Sequence, residues 1–327
     1  MKKEDNSKKN YWSFFQKMFP FIGLITIIIV FSIISGSKLW TVRNLTTIIS
    51  TMIPLCIGGM GMIFVVAQGS TDMSQGSLLA LAATLGGLIS MHLGFWAFIP
   101  ATLLVGLLVG IFNGTMLARL KVPSFMVTLA MLIALRALVI FFTTSGQEIV
   151  IDRRILMLNS PSVKYPIFIG LLLIMWYLFD FTKAGFFSKC IGENQVVGQF
   201  AGIPVKTYKT LAFALSGLMA GFVGIFSVGR IGGIAPTMGN FFELQVMTAM
   251  FVGGVPVTGG ATSKFYKLII GSLMLAFLQN GLTISRVPSE VAELIQGIIL
   301  LSVVFLGLLV HDKFLQRQTA LAAKESE

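Results

Sequence analysis

Long apolar runs, separated by short polar or glycine- and proline-rich clusters, make up most of the chain. A helix needs about 20 apolar residues to cross a hydrocarbon core of ~30 Å. Because runs such as 21–34 do not alternate polar and apolar residues, we interpret the fold class as an all-α polytopic membrane protein and not an outer-membrane barrel. The runs predict about ten membrane-spanning helices, over 18–36, 46–67, 75–93, 95–118, 123–143, 164–181, 210–230, 243–262, 265–284 and 291–310.

Two of these runs depart from a plain spanning helix. The run 18–36 follows a basic start, as a secretory signal does, but it exceeds the usual signal core and no small-x-small cleavage site follows, so we predict a retained span. The run 243–262 contains glycines and a proline that break a helix unless protein or a cavity surrounds it. The chain is thus predicted to comprise a tail (1–17), a transmembrane domain (18–310) and a second tail (311–327).

Composition and charge support a membrane protein. Of 327 residues, 55% are hydrophobic and 11% are charged, against ~25% charged residues in soluble globular domains. The net charge of +11 would suggest nucleic-acid binding in a soluble protein. Here, however, the basic residues divide unequally between the two predicted sides of the membrane. With the N-terminus inside, 16 of the 24 Lys and Arg fall on the cytoplasmic side and 7 fall outside. The positive-inside rule therefore predicts cytoplasmic termini, an external loop over 144–163 and an internal loop over 182–209.

A possible internal pseudo-repeat links the two halves. Gly86-Gly87 precedes Asn113-Gly114 by the same interval that separates Gly253-Gly254 from Asn280-Gly281. Structural repeats of this kind are common in transporters. A chance match of two dipeptides in a glycine-rich chain is the alternative, and the residues leave both open.

A polar cluster precedes the third apolar run, where Asp72, Ser74, Gln75 and Ser77 lie between glycines. Asp72 is predicted to cap the helix by accepting from free amides of its first turn, with Gln75 completing a capping-box-like pair. A polar, glycine-flanked helix start at membrane depth must also line water or protein, which makes the cluster a candidate element of a translocation pathway. Capping alone and capping with pathway lining both remain open.

Other polar and small residues lie inside the spans. Arg136 is predicted to face the bundle interior, to contact a helix end or to snorkel to the interface. Asn113 and Asn280 are further pathway candidates, although an amide inside a span more often bonds a neighbouring helix. Small residues recur every four positions and predict close helix packing at Gly106, Gly110, Gly114, Ser216, Ala220 and Gly224.

The internal loop contains a potential short amphipathic helix between Gly192 and Gly202. Its apolar side comprises Val196, Val197, Phe200 and Ala201, and its exposed polar side comprises Glu193, Asn194 and Gln199. Such a helix can lie in the lipid interface, where the flanking lysines suit anionic lipid, or it can dock on a partner protein. The residues alone favour neither.

The sequence contains none of the common catalytic or nucleotide-binding motifs considered next. No G-x-x-x-x-G-K-[ST] phosphate loop occurs, so any ATP is expected to be used by another chain. His92 and His311 are far apart, no HExxH or G-x-S-x-G motif is found, and Cys56 and Cys190 form no metal pair. We therefore predict no catalytic residues, no metal site and no cofactor bound by this chain.

Three stretches resemble a known family over nearly the whole chain. They are GSTDMSQGSLLALAA (69–83), GENQVVGQFAGIPVKTYKTLAFALSGLMAGFVGI (192–225) and FVGGVPVTGG (251–260). In order and spacing they resemble the permease subunits of bacterial ribose-type ABC importers. That branch also moves other monosaccharides and small solutes such as autoinducer-2.

The resemblance implies a permease of the bacterial inner membrane that moves a small polar solute inward. It implies three protein partners: a second permease copy, identical or different, an extracytoplasmic solute-binding protein and an ABC ATPase subunit. In that family the internal loop docks on the ATPase, and the corresponding residues here are Gly192, Glu193, Asn194, Gly198, Ala201 and Gly202. The alternative is an ATP-independent secondary transporter or channel, which would need an ion-coupling site among the few charged residues of the spans.

Overall fold

The computed structural model describes residues 2–120, 122–144 and 149–305, with side chains from residue 18 onward except residue 19. Every regular element in these residues is helical, and eight helices are long and apolar enough to cross a membrane. The predicted all-α polytopic membrane fold is confirmed, whereas the count of ten spans and the side of the termini stay predictions. The tail predicted over 311–327 lies outside the described residues.

The described residues form twelve α-helices, numbered in chain order. The bounds are α1 (Lys2–Ser35), α2 (Val42–Ala67), α3 (Gln75–Leu93), α4 (Phe98–Leu120), α5 (Ser124–Thr144), α6 (Pro161–Phe181), α7 (Lys183–Glu193), α8 (Gln195–Phe200), α9 (Val205–Ile231), α10 (Phe242–Val252), α11 (Phe265–Ile284) and α12 over 289–305. The tail predicted over 1–17 is helical from residue 2 and continuous with the first span.

The centre of the bundle is formed by α2 and α9, which contact each other and are the most buried spans. Helix α4 packs closely along α9, as the small-residue pattern predicted. A Cβ added to Gly110 would lie 3.1 Å from the Cα atoms of Ala214 and Gly217, so the two backbones touch. In lipid, where burying apolar surface between helices gains little, such close contact supplies the packing energy.

The packing of the two halves is reciprocal. Helix α4 packs on α9 while α11 packs on α2, and α3 contacts α9 while α10 contacts α2. This exchange is what an internal repeat of α2–α4 and α9–α11 predicts. The glycine pairs that suggested the repeat differ in setting, because Gly86-Gly87 lies inside α3 and Gly253-Gly254 lies just after α10.

The prediction of a continuous helix over 243–262 is wrong for the second half of that range. Helix α10 ends at Val252, and the following residues form turns in which Gly254 and Gly260 have φ values of 85° and 90°. The buried ammonium of Lys267 donates to the carbonyl oxygens of Gly254 (2.9 Å) and Thr262 (3.0 Å). The chain can therefore leave the helical path because a side chain from α11 satisfies carbonyls that a helix would have paired.

Candidate functional site

The segment 68–74, between α2 and α3, turns back into the bundle, and we call it the inner re-entrant segment. Just after it, Gln75 Nε2 donates to the carbonyl oxygen of Gly58 (2.9 Å). Within it, Asp72 Oδ2 accepts from Ser216 Oγ (2.7 Å). Gly58 and Ser216 lie near the middle of α2 and α9, so α3 begins at about half the height of the bundle.

Asp72 organises this segment. Its carboxylate is 1% exposed, and Oδ1 accepts from both the amide (3.0 Å) and the hydroxyl (2.6 Å) of Ser74. The predicted capping box is wrong, because Gln75 bonds Gly58 and does not return to Asp72. The start of α3 faces the backbones of α2 and α9, so the buried amide of Gln75 must find a partner there. Asp72 instead fixes the turn that precedes the helix.

Most of the predicted pathway residues are brought together around Asp72. Asn113 Nδ2 donates to Ser74 Oγ (3.0 Å), and Ser77 Oγ donates to the carbonyl oxygen of Ser74 (3.3 Å). Among the described residues, Gln75 Oε1 and Asn113 Oδ1 are buried and have no hydrogen-bond partner. Asn280 lies elsewhere, near the end of α11, where its amide donates to Asn44 Oδ1 (2.9 Å).

A second segment enters the bundle from the opposite side. Residues 232–241, between α9 and α10, are the outer re-entrant segment, which reaches the start of α3. There the backbone of Gly239 touches that of Gly76, and the Glu243 carboxylate lies against the same glycine. A side chain at Gly76 would collide with both groups, so glycine is required for this approach. The two re-entrant segments thus meet inside the bundle.

Arg136 holds the outer re-entrant segment in place. Its Nη1 atom donates to the carbonyl oxygens of Pro236 (3.0 Å) and Met238 (2.8 Å). Of the roles predicted for Arg136, the contact to backbone ahead of a helix is the one observed. The arginine, near the middle of α5, therefore supplies the hydrogen-bond donor for two carbonyl oxygens of a non-helical segment.

Replacing Arg136 by methionine is expected to lower the free energy of unfolding by about 1–2 kcal/mol, because the carbonyl oxygens of Pro236 and Met238 lose the donor they share. Thermal unfolding in mild detergent measures the change. Arg136→Lys, which keeps the charge but not the two-carbonyl geometry, should fall between methionine and the wild type. Equal stability of the methionine variant and the wild type would contradict the role.

At the predicted cytoplasmic end, three parts of the chain form what we call the clasp: residues 67–68, 188–193 and 260–261. The amide of Gly260 donates to the carbonyl oxygen of Ala67 (2.9 Å), and the amide of Ala261 donates to Glu193 Oε1 (2.7 Å). Gln68 Nε2 donates to Ser188 Oγ (3.0 Å). The end of α7 is therefore bonded to the turns after α10 and to the beginning of the inner re-entrant segment.

Beyond the clasp, α8 presents an apolar surface that the described residues leave exposed. Val196, Val197 and Phe200 are 59%, 61% and 89% exposed. The predicted amphipathic helix is found here but begins only at Gln195, because Asn194 Oδ1 caps it by accepting from the amides of Val196 (3.0 Å) and Val197 (3.1 Å). Gly198 is the buried residue within α8, and Ala201 and Gly202 follow its end.

The loop at the opposite end carries an ion pair. Arg154 Nη2 lies 2.8 Å from Asp152 Oδ2, and its guanidinium stacks over the Phe95 ring, 4.8 Å from the centroid. The hydrogen bonds from Arg154 hold the pKa of the Asp152 carboxyl below its usual range. This pair fixes the start of the 3₁₀ turn Arg153–Asn159 in the predicted external loop, of which residues 145–148 are outside the described part.

Sequence reasoning missed several residues that hold the site. The four-residue pattern predicts only packing for Ser216, yet its hydroxyl donates to Asp72. The signal in the sequence is a hydroxyl among alanine and glycine residues at that spacing. Gln68 and Lys267 also bond groups distant in sequence, and nothing in their local pattern indicated it. In the described residues, no group of three or more His, Cys, Asp or Glu is placed to hold a metal.

Comparison with known proteins gives a consistent result. The chain is 29% identical over 304 residues to the ribose import permease protein of Escherichia coli (strain K12), covering 89% of this chain and 93% of that one. It is 27% identical over 297 residues to the fructose import permease protein of Rhizobium meliloti (86% and 82% covered). It is 26% identical over 353 residues to the xylose transport system permease protein of Escherichia coli (strain K12) (87% and 89% covered). No solved structure matches significantly.

The family comparison covers both re-entrant segments and the clasp. Residues 44–304 match the family described as "Branched-chain amino acid transport system / permease component". With the apolar helices, this match makes the chain a multi-pass protein of the inner membrane. The chain belongs to this family of transport-system permease components.

Proposed function

We propose that this chain is the permease subunit of an ATP-driven importer that moves a monosaccharide inward across the inner membrane. The observation that carries the proposal is the meeting of two broken segments inside the bundle, at Gly76 and Gly239. Transporters place solute sites where discontinuous helices meet near the membrane midplane. The named substrates of the relatives, which are ribose, fructose and xylose, favour a monosaccharide over the amino acids in the family description.

In this proposal the Asp72 cluster shapes the pathway and does not bind the solute directly. Every oxygen of the Asp72 carboxylate already accepts a hydrogen bond, and Ser74, Gln75, Ser77 and Asn113 are as buried as Asp72. A fully buried and satisfied carboxylate gives a segment one stable conformation. The cluster therefore keeps the inner re-entrant segment at the depth where it meets the outer one. Asn280, which pairs with Asn44 away from this meeting point, contributes to packing.

The α8 surface is proposed as the docking site for the ATPase subunit, which would bind and hydrolyse the ATP. Three exposed aliphatic and aromatic side chains on one short helix form a compact apolar patch of the kind that fits a protein groove. The clasp supplies a route for motion, because Glu193 links the end of α7 to Ala261 and Gly260 links that turn to Ala67. Movement of α7 and α8 would then shift the inner re-entrant segment as a packed unit.

The proposed assembly contains two further partners. A second permease copy, identical or different, would complete the pathway, and an extracytoplasmic binding protein would deliver the solute. The binding protein would meet the end that carries the Arg153–Asn159 turn, opposite α8. Solute choice would then rest largely with the binding protein.

Phe200→Ala is expected to weaken association with the ATPase subunit about 30-fold, because burying a phenylalanine contributes about 2 kcal/mol. The measurement is the amount of ATPase that copurifies with the tagged permease in mild detergent. Trp96→Ala is the matched control, since Trp96 is also largely exposed (80%) but lies at the opposite end.

Copurification also separates the proposal from its alternative. If the chain were an ATP-independent secondary transporter or channel, no ATP-binding subunit would copurify with either the wild type or the Phe200 variant. Loss of the ATPase from the Trp96 variant and its retention by the Phe200 variant would place the docking site elsewhere.

A further inference from the structure

A groove of about 220 Å³ runs between α10 and α12, next to the meeting point of the re-entrant segments. Its walls include Phe241, Leu244, Gln245, Thr248, Glu293 and Gln296. Phe241 stands at the lip, 57% exposed, with a left-handed backbone (φ 58°) that turns the chain into α10. Because the carboxylate of Glu243, one residue into α10, lies against Gly76, the groove opens beside the proposed pathway.

The polar groups of the groove have unused hydrogen-bonding capacity. Within the described residues, the side chains of Gln245 and Glu293 make no hydrogen bond. Gln296 Oε1 accepts from Gln279 Nε2 (3.1 Å), which fixes the amide and leaves Gln296 Nε2 without a partner in the same residues. Thr248 is already satisfied by the carbonyl oxygen of Leu244 (2.7 Å). Three polar groups in an otherwise apolar stretch of chain are therefore available to a ligand.

This combination indicates the chemistry of the ligand. Small-molecule sites are largely apolar concavities with a few convergent polar groups that fix orientation. Amide groups both donate and accept, and a carboxylate accepts, which together match the hydroxyls of a sugar. Since the described wall of the groove contains no Lys or Arg, it offers no partner for an anionic solute.

We propose that the α10–α12 groove is a binding site for a neutral, polyhydroxylated solute on its way through the membrane. The site rests on the proposed function, and it assigns Gln245, Glu293 and Gln296 as the groups that hold the hydroxyls. Phe241 and Leu244 supply the apolar surface against which the C–H face of a sugar ring packs.

The test uses the complete transporter in proteoliposomes, with ribose, xylose and fructose as separate probes. Gln245→Leu and Gln296→Leu are each expected to raise the KM for uptake about fivefold, as loss of one hydrogen bond to the solute would do, with ATP hydrolysis unchanged. Gln279→Leu is the comparison variant, because it frees the Gln296 amide from the bond that fixes it but leaves that amide in the groove, where it can still bond the solute. Its KM should stay within about twofold of the wild type.

A second measurement is independent of transport rate. In a background in which Cys56 and Cys190 are replaced, the thiol of Gly297→Cys, at the groove wall, should react with a charged methanethiosulfonate, and the transported sugar should slow that reaction. Unchanged KM in both leucine variants, or a reaction rate of Gly297→Cys that the transported sugar does not change, would overturn the groove proposal. Absence of ATP-dependent uptake by the wild type would overturn the proposed function, and the groove proposal with it.

Discussion

Gly192→Ala is expected to lower the initial rate of ATP-driven uptake about tenfold or more, although the protein should still insert in the membrane. A Cβ at this position would collide with the carbonyl oxygen of Ala67 and lie 2.7 Å from the amide nitrogen of Gly260. Both obstacles are backbone atoms, so the clash cannot be relieved by a side-chain rotation. The end of α7 would have to move away, and the clasp bond from Gly260 to Ala67 would be strained or broken.

Gly198→Ala is the matched control for this prediction. Gly198 belongs to the same loop, but among the described residues a Cβ there would meet only Ile203 Cδ1, at 3.6 Å, which is an ordinary contact. Both substitutions raise helix propensity by up to about 1 kcal/mol, so propensity cannot explain a difference between them. Full uptake by the Gly192 variant, or an equal loss in both, would refute a specific role for the clasp.

Asp72→Ala is expected to lower the free energy of unfolding by about 3 kcal/mol or more. The change leaves the amide and hydroxyl of Ser74 and the hydroxyl of Ser216 without the acceptor they share. Each orphaned buried group costs about 1–3 kcal/mol. Thermal unfolding can be followed with a thiol-reactive dye, because Cys56 is fully buried and becomes accessible only when the bundle opens; Cys190 is replaced in the same background.

Two further variants test the reason for this loss. Ser77→Ala should cost about 1 kcal/mol or less, since within the described part of the chain the Ser77 hydroxyl bonds only the carbonyl oxygen of Ser74, at 3.3 Å. Asp72→Asn keeps one acceptor oxygen and should be intermediate. If Asp72→Ala unfolded at the same temperature as the wild type, the carboxylate would not be what holds the inner re-entrant segment.

Much of the fold was predictable because the bilayer imposes a length. The runs 75–93 and 265–284 coincide with α3 and α11, since an uninterrupted apolar run of about 20 residues favours one helix. The same rule failed over 243–262, where composition is apolar but Lys267 and glycines with positive φ stabilise a turn. Hydropathy measures transfer into lipid and carries no information about which backbone groups another helix will satisfy.

The candidate site was predictable in part. The polar spacing around Asp72 identified the residues of the inner re-entrant segment, but it assigned Gln75 a partner within its own turn. The actual partners, Gly58 and Ser216, are remote in sequence, and only the folded bundle brings them there. The loop residues Gly192 and Glu193 came from a family resemblance, and their contacts with Ala67 and Ala261 have no local signature.

The most direct test of the central claim is the uptake of radiolabelled ribose, xylose or fructose into proteoliposomes that contain this chain with its copurifying ATPase. The binding protein is added outside, and ATP is enclosed inside. We expect one of these sugars to accumulate only when ATP and the binding protein are both present, and unlabelled leucine should not compete. Equal uptake with enclosed ADP, or uptake driven by an ion gradient without the binding protein, would contradict an ATP-driven importer and favour a secondary transporter.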